Sequence, residues 1–260
     1  MNAIKHSVTL WAAAFALLAF SMPVHADSRD NRIELSAKQS YVFRTYLQGD
    51  EIKIQSKGGA VALTGVVSEN FHRSLAQETV AGLSGVKSID NRLEVKGAPP
   101  TANSDAWLRD KVKVALLFHR SVSTATAEVD VKDGIVTLRG EAVNQAQKEL
   151  TAEYATYVEG VKGVKNDMTV PKTAQKTPRT ISEKVDDASI TAQVNMMLLN
   201  HRSTSVLNTT VKTKRGVVTV KGTAGNASTK RLVTNLVADI KGVNRVNNRM
   251  SFVTSASVAH

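Results

Sequence analysis

Cysteine is absent from the 260-residue sequence, so the chain has no disulfide scaffold, no thiolate zinc site and no cysteine nucleophile. The sequence also lacks the motifs H-E-x-x-H and G-x-S-x-G, a Walker loop and a dinucleotide fingerprint. Aromatic residues make up only 5% of the chain, which leaves few side chains for stacking on nucleic-acid bases. We therefore expect no enzyme activity, no cofactor, no metal site and no nucleic-acid partner.

Long apolar runs are also absent, apart from one near the start of the chain. Residues 10–20 form an apolar run of 11 behind a weakly positive start, and Val24-His25-Ala26 offers small residues at the two positions that signal peptidase reads. The run is too short to span a bilayer stably. We predict a signal peptide over residues 1–26, cleavage after Ala26, export to the periplasm and no transmembrane segment in the mature chain.

What the chain does contain is one unit repeated three times. Strands reading VALTG, VTLRG and VTVKG each end in a glycine, and a Gly-Val pair follows twenty residues later in every copy. These paired glycines are Gly65 and Gly85, Gly140 and Gly160, and Gly222 and Gly242. The second and third copies keep a constant offset of 82 residues over more than 60 positions, a register that chance does not produce.

Each unit has the pattern helix, strand, strand, helix, strand. In the third copy, Ile190, Val194 and Met197 recur at the spacing of an amphipathic helix. Two β-rich runs follow around a turn at Gly216, and a second helix begins near Asn226, a preferred N-cap. The second glycine of each pair is expected at the C-cap of that helix. The pattern predicts an α+β fold of three tandem αββαβ units, each a three-stranded sheet with two helices on one face.

The repeats also set the expected domain boundaries. We assign residues 34–97 to a degenerate first domain, residues 105–172 to a second domain and residues 187–253 to a third, basic domain. Residues 173–186 have the composition of a linker without apolar periodicity. In the degenerate first copy, the first helix is expected around Leu35 to Leu47.

The repeated unit resembles the BON domain, a bacterial domain of secreted and envelope proteins. The resemblance rests on the strand ending V-x-L-x-G, the Gly-Val pair about twenty residues later and the closing V-x-N-x-L/M. Tandem BON domains behind a signal peptide are similar to the osmotically inducible periplasmic proteins of Gram-negative bacteria. The resemblance implies binding to phospholipid surfaces and a part in envelope integrity under stress, without catalysis. It implies a structural role for the six paired glycines.

Positive charge is concentrated in one of the three copies. Residues 187–253 carry ten basic and two acidic residues, whereas residues 34–97 carry eight and seven, and residues 105–172 carry ten of each. Near an anionic membrane each Lys or Arg contributes about 1 kcal/mol of attraction, within a Debye length. We predict that the third domain binds anionic phospholipid headgroups through Lys212, Lys214, Arg215, Lys221, Lys230 and Arg231. The alternative is a solvated face that only aids solubility.

A second function stays open, that of a chaperone-like or protein-interaction module of the periplasm acting under osmotic stress. It would use the apolar run Met196-Met197-Leu198-Leu199 and aromatic surfaces, with envelope proteins as partners. Trp107, the single tryptophan after the predicted cleavage, is either a core residue or an anchor at the membrane interface.

A His-Arg pair ends the first helix of two copies, at His119-Arg120 and at His201-Arg202. A metal site needs three or four converging ligands, and each copy supplies one histidine. Because cationic residues interact favourably with the carbonyl groups at a helix C-terminus, we interpret both pairs as caps of their own helices. No histidine of the mature chain lies beside a plausible nucleophile in the sequence.

Overall fold

The computed structural model describes residues 28–97, 100–122, 127–171, 184–204 and 207–252. The predicted signal peptide and most of the predicted linker lie outside the described residues. The helices are α1 (Ser28–Gln39), α2 (Tyr41–Thr45), α3 (Asn70–Ala81), α4 (Asp105–Leu117), α5 (Gln145–Thr156), α6 (Asp187–Asn200) and α7 (Ala227–Ala238). The strands are β1 (Glu51–Lys57), β2 (Ala60–Val67), β3 (Ser88–Val95), β4 (Ala127–Lys132), β5 (Ile135–Gly140), β6 (Gly163–Asn166), β7 (Thr209–Lys214), β8 (Val217–Ala224), β9 (Arg245–Asn248) and β10 (Ser251–Phe252).

Each of the three domains is built on the same small sheet. The first two strands form an antiparallel hairpin, and the third strand pairs in parallel with the second, in the orders β1-β2-β3, β4-β5-β6 and β7-β8-β9. The parallel connection runs through the second helix of the domain, as a crossover requires. The predicted α+β fold of three tandem αββαβ units is confirmed. The additions are α2 in the first domain and the two-residue β10, which extends the third sheet beside β8.

The start of the first domain differs from the expectation. The predicted helix from Leu35 to Leu47 is wrong, because α1 begins at Ser28 and ends at Gln39. Ile33 and Ala37 are the buried positions of α1, whereas the Leu35 side chain is 53% exposed. The chain then restarts as the short α2, whose N-cap Ser40 accepts a hydrogen bond from the backbone N–H of Phe43. The first helix therefore begins seven residues before the expected position.

The hydrophobic core joins domains that are distant in the sequence. One continuous cluster contains the buried residues of the first and third domains, among them Leu63 and Leu75 of the first and Ile190 and Val220 of the third. Helices α3 and α6 pack against each other across this boundary. The second domain has a separate core, although its Phe118 belongs to the shared cluster. Because burial of each large apolar side chain contributes about 1.5–3 kcal/mol, the first and third domains stabilise each other.

A carboxylate at the start of the first helix holds the hairpin turn in every domain. Asp187 accepts hydrogen bonds from the backbone N–H groups of Arg215 and Gly216, at 2.6 and 2.8 Å. The same pair of bonds joins Asp105 to Asp133 and Gly134, and Asp30 to Gly58 and Gly59. This repeated aspartate was not recognised as a turn clamp from the sequence, although it lies 28 or 29 residues before the turn in each copy.

All six paired glycines have positive φ angles, but those that follow the second helices do not cap them. Gly216, which is not one of the pairs, lies in the hairpin turn of the third domain. The turn position of Gly216 is confirmed, with φ at 73°. The expectation that Gly85, Gly160 and Gly242 cap their helices is wrong, because α3, α5 and α7 end three or more residues earlier. Gly242 has φ at 91°, and a Cβ atom there would lie 2.7 Å from Cβ of Val185. This glycine lets the chain pass closely over the start of α6 on its way to β9.

Asparagine residues cap the start of the second helix and join its first half to the last strand. The predicted N-caps Asn144 and Asn226 are confirmed, since their side chains accept hydrogen bonds from the N–H groups three residues later. Asn248 at the end of β9 donates to the carbonyl of Lys230 at 2.8 Å and accepts from the N–H of Met250 at 3.0 Å. Asn166 and Asn91 make the corresponding bonds in the other two domains.

Candidate functional site

The third sheet has one face covered by helices and one open face. Val218 and Val220 of β8 are fully buried beneath the helices, so their neighbours along the strand point to the opposite side. The strand register places Lys212 opposite Thr219 and aligns Arg245 with Val217 on that open side. Five basic residues share it, and we call them the basic face: Lys212, Lys214, Lys221, Arg245 and Arg249.

The basic face carries no acidic side chain, unlike the equivalent faces of the other two sheets. The open face of the second sheet has three basic and three acidic residues: Lys132, Arg139, Lys165, Glu128, Asp130 and Asp167. The open face of the first sheet is equally balanced: Lys53, Lys57, Arg92, Glu51, Asp90 and Glu94. Ion pairs form on both, between Lys165 and Asp167 at 2.9 Å and between Arg92 and Asp90. Within the described chain, no ion pair involves a residue of the basic face.

The structure divides the six residues predicted to bind lipid. Lys212, Lys214 and Lys221 lie on the basic face, and all three are exposed. Arg215 lies at the rim, in the turn between β7 and β8, with an exposed side chain. The six residues therefore do not form one surface, because the remaining two belong to the other layer of the domain.

Lys230 and Arg231 lie in the first turn of α7, on the helical layer. The Lys230 ammonium donates to the carbonyl of Met250 at 2.6 Å and lies 5.3 Å from the ring centre of Phe252. Its charge thus serves a contact within the domain, which also explains a lysine at a helix N-terminus, where the macrodipole disfavours cations. Arg245 and Arg249 were missing from the predicted set, although Asn248 and Met250 point inward and alternation alone places these arginines outside.

Trp107 lies away from the basic face, in a groove where the three domains meet. Its ring is partly buried against the second core, and the ammonium of Lys111 lies 4.3 Å from the ring centre. Phe71 of the first domain and Leu199 of the third also line this groove. Leu199 is 57% exposed, whereas the other three residues of the Met196-Met197-Leu198-Leu199 run are buried. Within the described residues, aromatic side chains and part of the methionine-rich run line this groove together.

The expectation that the His-Arg pairs cap their own helices holds only for His201, the C-cap residue of α6, whose backbone N–H donates to the carbonyl of Met197 at 3.2 Å. The C-cap of α4 is Phe118 instead of His119, and both arginines bind carbonyl groups of the neighbouring domain. The backbone N–H of Arg120 donates to the carbonyl of Asp239 at 2.9 Å, and the Arg120 guanidinium donates to Val243 at 3.0 Å and to Ala238. Arg120 therefore binds carbonyl groups at the end of α7, in the neighbouring domain. Cationic recognition of a helix end was anticipated correctly, but the helix belongs to the third domain.

The same contact is made in reverse by the second pair. The backbone N–H of Arg202 donates to the carbonyl of Tyr157 at 2.8 Å, and its guanidinium donates to Val161 at 2.8 Å. Bridges join His119 to Ile240 and His201 to Val158 in an antiparallel sense. Every partner is related to its counterpart by the 82-residue offset. The second and third domains thus dock through an approximate two-fold axis, and we call this the two-fold contact.

The two histidines of the contact have different surroundings. His119 stacks on Tyr154 at 3.7 Å and donates from Nδ1 to Asp239 at 2.9 Å. Burial opposes ionisation of Asp239, but hydrogen bonds from His119, Ser121 and Tyr154 outweigh it and lower the pKa of this carboxyl. His201 stacks on Tyr157 at 5.2 Å and has no carboxylate partner. Burial, together with the nearby His119 and Arg202, lowers the pKa of His201 to about 4.

One histidine lies beside a hydroxyl group in the folded chain, although no histidine lies beside a plausible nucleophile in the sequence. In the first domain, Nδ1 of His72 lies 2.6 Å from a carboxylate oxygen of Asp50 and 3.1 Å from the hydroxyl of Ser68. In a catalytic triad the acid and the nucleophile meet opposite nitrogens of the imidazole. Here both meet the same nitrogen, and the Ser68 hydroxyl donates to Asp50 at 2.8 Å. The cluster therefore holds the loop before α3 and has no relay geometry.

Neither a membrane-spanning helix nor a metal-binding cluster occurs in the residues that the structure describes. In that part of the chain, no helix is long and apolar enough to cross a membrane. The same residues include no group of three or more histidine, aspartate or glutamate side chains placed to hold a metal ion.

Several known bacterial proteins are similar to this chain. The chain is 28% identical over 143 residues to Osmotically-inducible protein Y of Escherichia coli (strain K12), which covers 54% of this chain and 71% of that protein. It is 31% identical over 111 residues to the Outer membrane lipoprotein DolP of Haemophilus influenzae, covering 42% and 57% of the two chains. A solved structure of CdsD, a structural protein of the Type III secretion system of Chlamydia trachomatis, matches with a TM-score of 0.24 at 17% identity, covering 86% of this chain and 91% of that one.

The family assignment follows from the repeats themselves. The BON domain model matches residues 29–97, 104–172 and 186–254, which include all three αββαβ units. The chain belongs to the BON domain family and carries three copies of the domain.

Proposed function

We propose that this chain is a non-enzymatic periplasmic protein of the envelope stress response that binds anionic phospholipid surfaces through its third domain. The proposal rests on the basic face, which carries five basic residues and no acidic residue. The equivalent faces of the first and second domains are balanced, so the fold itself does not require this charge. The names of two relatives, an osmotically inducible protein and an outer membrane lipoprotein, agree with this setting.

The basic face suits an anionic surface because its side chains are exposed, lie on one face of the sheet and form no ion pair within the described residues. At about 1 kcal/mol for each basic residue close to an anionic membrane, four or five contacts give reversible adhesion that weakens with salt. Arg215 at the rim adds a further cation. Lys230 and Arg231 lie on the other layer, so we place them outside the main surface and expect a smaller contribution from them.

The test is co-sedimentation of the chain from residue 27 with vesicles of phosphatidylcholine alone or with phosphatidylglycerol, at low and high salt. The double variant Lys214→Glu/Lys221→Glu reverses two charges of the basic face. The variant Lys132→Glu/Arg139→Glu makes the same change at the corresponding positions of the second domain and serves as the matched control. We expect binding that requires phosphatidylglycerol, falls with salt and is lost only in the third-domain variant.

Equal loss in both double variants would show that net charge, not the basic face, governs adhesion. Binding that persists at high salt or in the Lys214→Glu/Lys221→Glu variant would overturn the proposal.

The second candidate, a chaperone-like or protein-interaction module, is favoured by the groove between the domains. Phe71, Trp107 and the 57%-exposed Leu199 give this groove an apolar lining of the kind that binds protein segments. This function predicts suppression of client aggregation that is unchanged by Lys214→Glu/Lys221→Glu and reduced by Leu199→Ser. Vesicle binding and client protection therefore respond to different variants.

A further inference from the structure

We propose that the two-fold contact is an acid-sensitive latch, which releases the second domain from the third when His201 takes up a proton. This inference is independent of the lipid-binding proposal, because it concerns the arrangement of the domains. It rests on the position of His201 within this contact. A protonated ring would carry a proton on each nitrogen, and the contact offers neither proton an acceptor.

The hydrogen bonds of His201 define its protonation state in the closed contact. Its side chain is buried, with 6% of the residue exposed, and the ring stacks on Tyr157 across the domain boundary. Nδ1 accepts a hydrogen bond from the backbone N–H of Ser203 at 3.1 Å. A neutral ring with an accepting Nδ1 carries its proton on Nε2. Nε2 is buried and has no hydrogen-bond partner, so the contact accommodates the neutral ring.

A proton added to His201 would sever the bond from Ser203 and place a positive charge among other cations. The charged and titratable groups of the elements that meet here are His119, Arg120, Tyr154, Tyr157, Glu159, Arg202, Asp239 and Lys241. Asp239 already accepts from His119, Ser121 and Tyr154, and Glu159 pairs with Lys111 at 3.3 Å. Both carboxylates are therefore engaged, Glu153 of α5 is exposed to solvent, and no carboxylate of the described residues forms an ion pair with His201.

The direction of the pH effect follows from linkage. Burial lowers the pKa of His201 from 6.5 to about 4 in the closed contact. The open form regains the ordinary value, so it binds the proton more readily, and acid favours opening. Between pH 6.5 and the lowered pKa, the opening equilibrium should rise by up to about tenfold for each pH unit. Above pH 6.5 both forms are neutral at this position and the effect vanishes.

Hydrogen exchange measures this equilibrium directly in the full chain. The backbone N–H groups of Arg120, Arg202 and Lys241 donate across the contact, at 2.9, 2.8 and 3.2 Å. After correction for intrinsic exchange, we expect their protection to fall about 40-fold between pH 6.5 and pH 4.5, while the amides of β8 keep theirs.

His201→Phe retains an aromatic ring for stacking on Tyr157 but cannot titrate, so we expect its protection to be independent of pH over this range. His72→Gln, at a histidine of the first domain, is the control and should behave as the unaltered chain does. A pH-independent contact in the unaltered chain, or an equal fall in His201→Phe, would overturn the latch.

A second measurement decides the matter if the phenylalanine variant fails to form the contact at neutral pH. The ring resonances of His201 in the unaltered chain should titrate well below 6.5 for as long as the contact amides are protected. Titration near 6.5 with the amides still protected would show that the closed contact accepts the charged ring, which contradicts the proposal.

Discussion

Arg120 and Arg202 occupy exchanged positions in the two-fold contact, each binding the end of the second helix in the other's domain. Arg120 donates to the carbonyls of Asp239 and Val243, and Arg202 donates to those of Tyr157 and Val161, which are the residues 82 positions earlier. Two copies of one sequence motif therefore bind the equivalent helix ends of two copies of the domain. The contact depends on both.

Removal of either guanidinium group should weaken this contact. Hydrogen bonds from a charged donor contribute about 1.5–3 kcal/mol, but the Arg120 side chain is half exposed and water replaces part of the loss. We expect Arg120→Ala and Arg202→Ala each to lower the free energy of unfolding by about 1–2 kcal/mol in urea denaturation. Arg139→Ala, at an exposed position of the second sheet, should change it by less than about 0.5 kcal/mol. Equal losses in all three variants would contradict the role of the contact.

Gly242 should tolerate no side chain. Its φ of 91° disfavours any other residue, and a new Cβ atom would lie 2.7 Å from Cβ of Val185 and 3.1 Å from the Ile190 side chain. Strain and overpacking together should cost about 2–4 kcal/mol in Gly242→Ala. Gly225→Ala is the matched control, because nothing lies within 4 Å of its added Cβ. Thermal unfolding of the two variants should separate them clearly, and similar melting temperatures would refute this account of Gly242.

Asp30 should make the first domain sensitive to acid. Hydrogen bonds from the hydroxyl of Ser56 and the N–H of Gly59 lower the pKa of this carboxyl below its ordinary 3.8. A carboxylate with a lowered pKa stabilises the fold above 3.8 and loses that contribution as the pH falls through the lowered value. Asp30→Asn should be less stable at neutral pH, with a shallower decline in stability below pH 4 than the unaltered chain, in urea titrations at several pH values.

Glu94→Gln on the exposed edge of the first sheet is the control, and its stability should decline in acid as the unaltered chain does. Parallel curves for Asp30→Asn and the unaltered chain would show that the turn clamp does not titrate. This acid range lies below the range predicted for the His201 latch, so the two effects can be separated.

Trp107 offers a spectroscopic test of its two interpretations. It is the one tryptophan beyond residue 26, so the tryptophan fluorescence of a chain that begins at residue 27 reports on this position alone. The structure places the ring in the groove, partly buried and next to Lys111, and away from the basic face. We therefore expect its emission and its quenching by acrylamide to stay unchanged when the protein binds phosphatidylglycerol vesicles. A blue shift with reduced quenching would restore the anchor interpretation.

The sequence predicted those features that depend on local pattern. The caps at Asn144 and Asn226 follow from residue type, and the turn at Gly216 follows from a glycine between two alternating runs. The first helix of the degenerate copy was misplaced: its buried positions are Ile33 and Ala37, whereas Leu35, where the helix was expected to begin, is 53% exposed. The first copy lacks the His-Arg end that marks this helix in the other two copies.

The sequence indicated which domain would carry the candidate site, but not which surface of that domain. Counting charge pointed to the third domain, yet it grouped Lys230 with Lys212 although one residue lies on a helix and the other on a strand. Strand alternation would have separated them and added Arg245. The docking of Arg120 could not be predicted in this way, because its partners lie 118 or more residues away and only the folded chain brings them together.

The two-fold contact has a consequence for how the chain assembles. Reciprocal docking of one surface patch is the arrangement that two identical molecules use to form a dimer. In this chain the two patches are joined covalently, so the encounter is intramolecular and its effective concentration is set by the connecting segment. Dilution, which dissociates an ordinary dimer, leaves this pairing intact. The protein carries its own partner at every concentration.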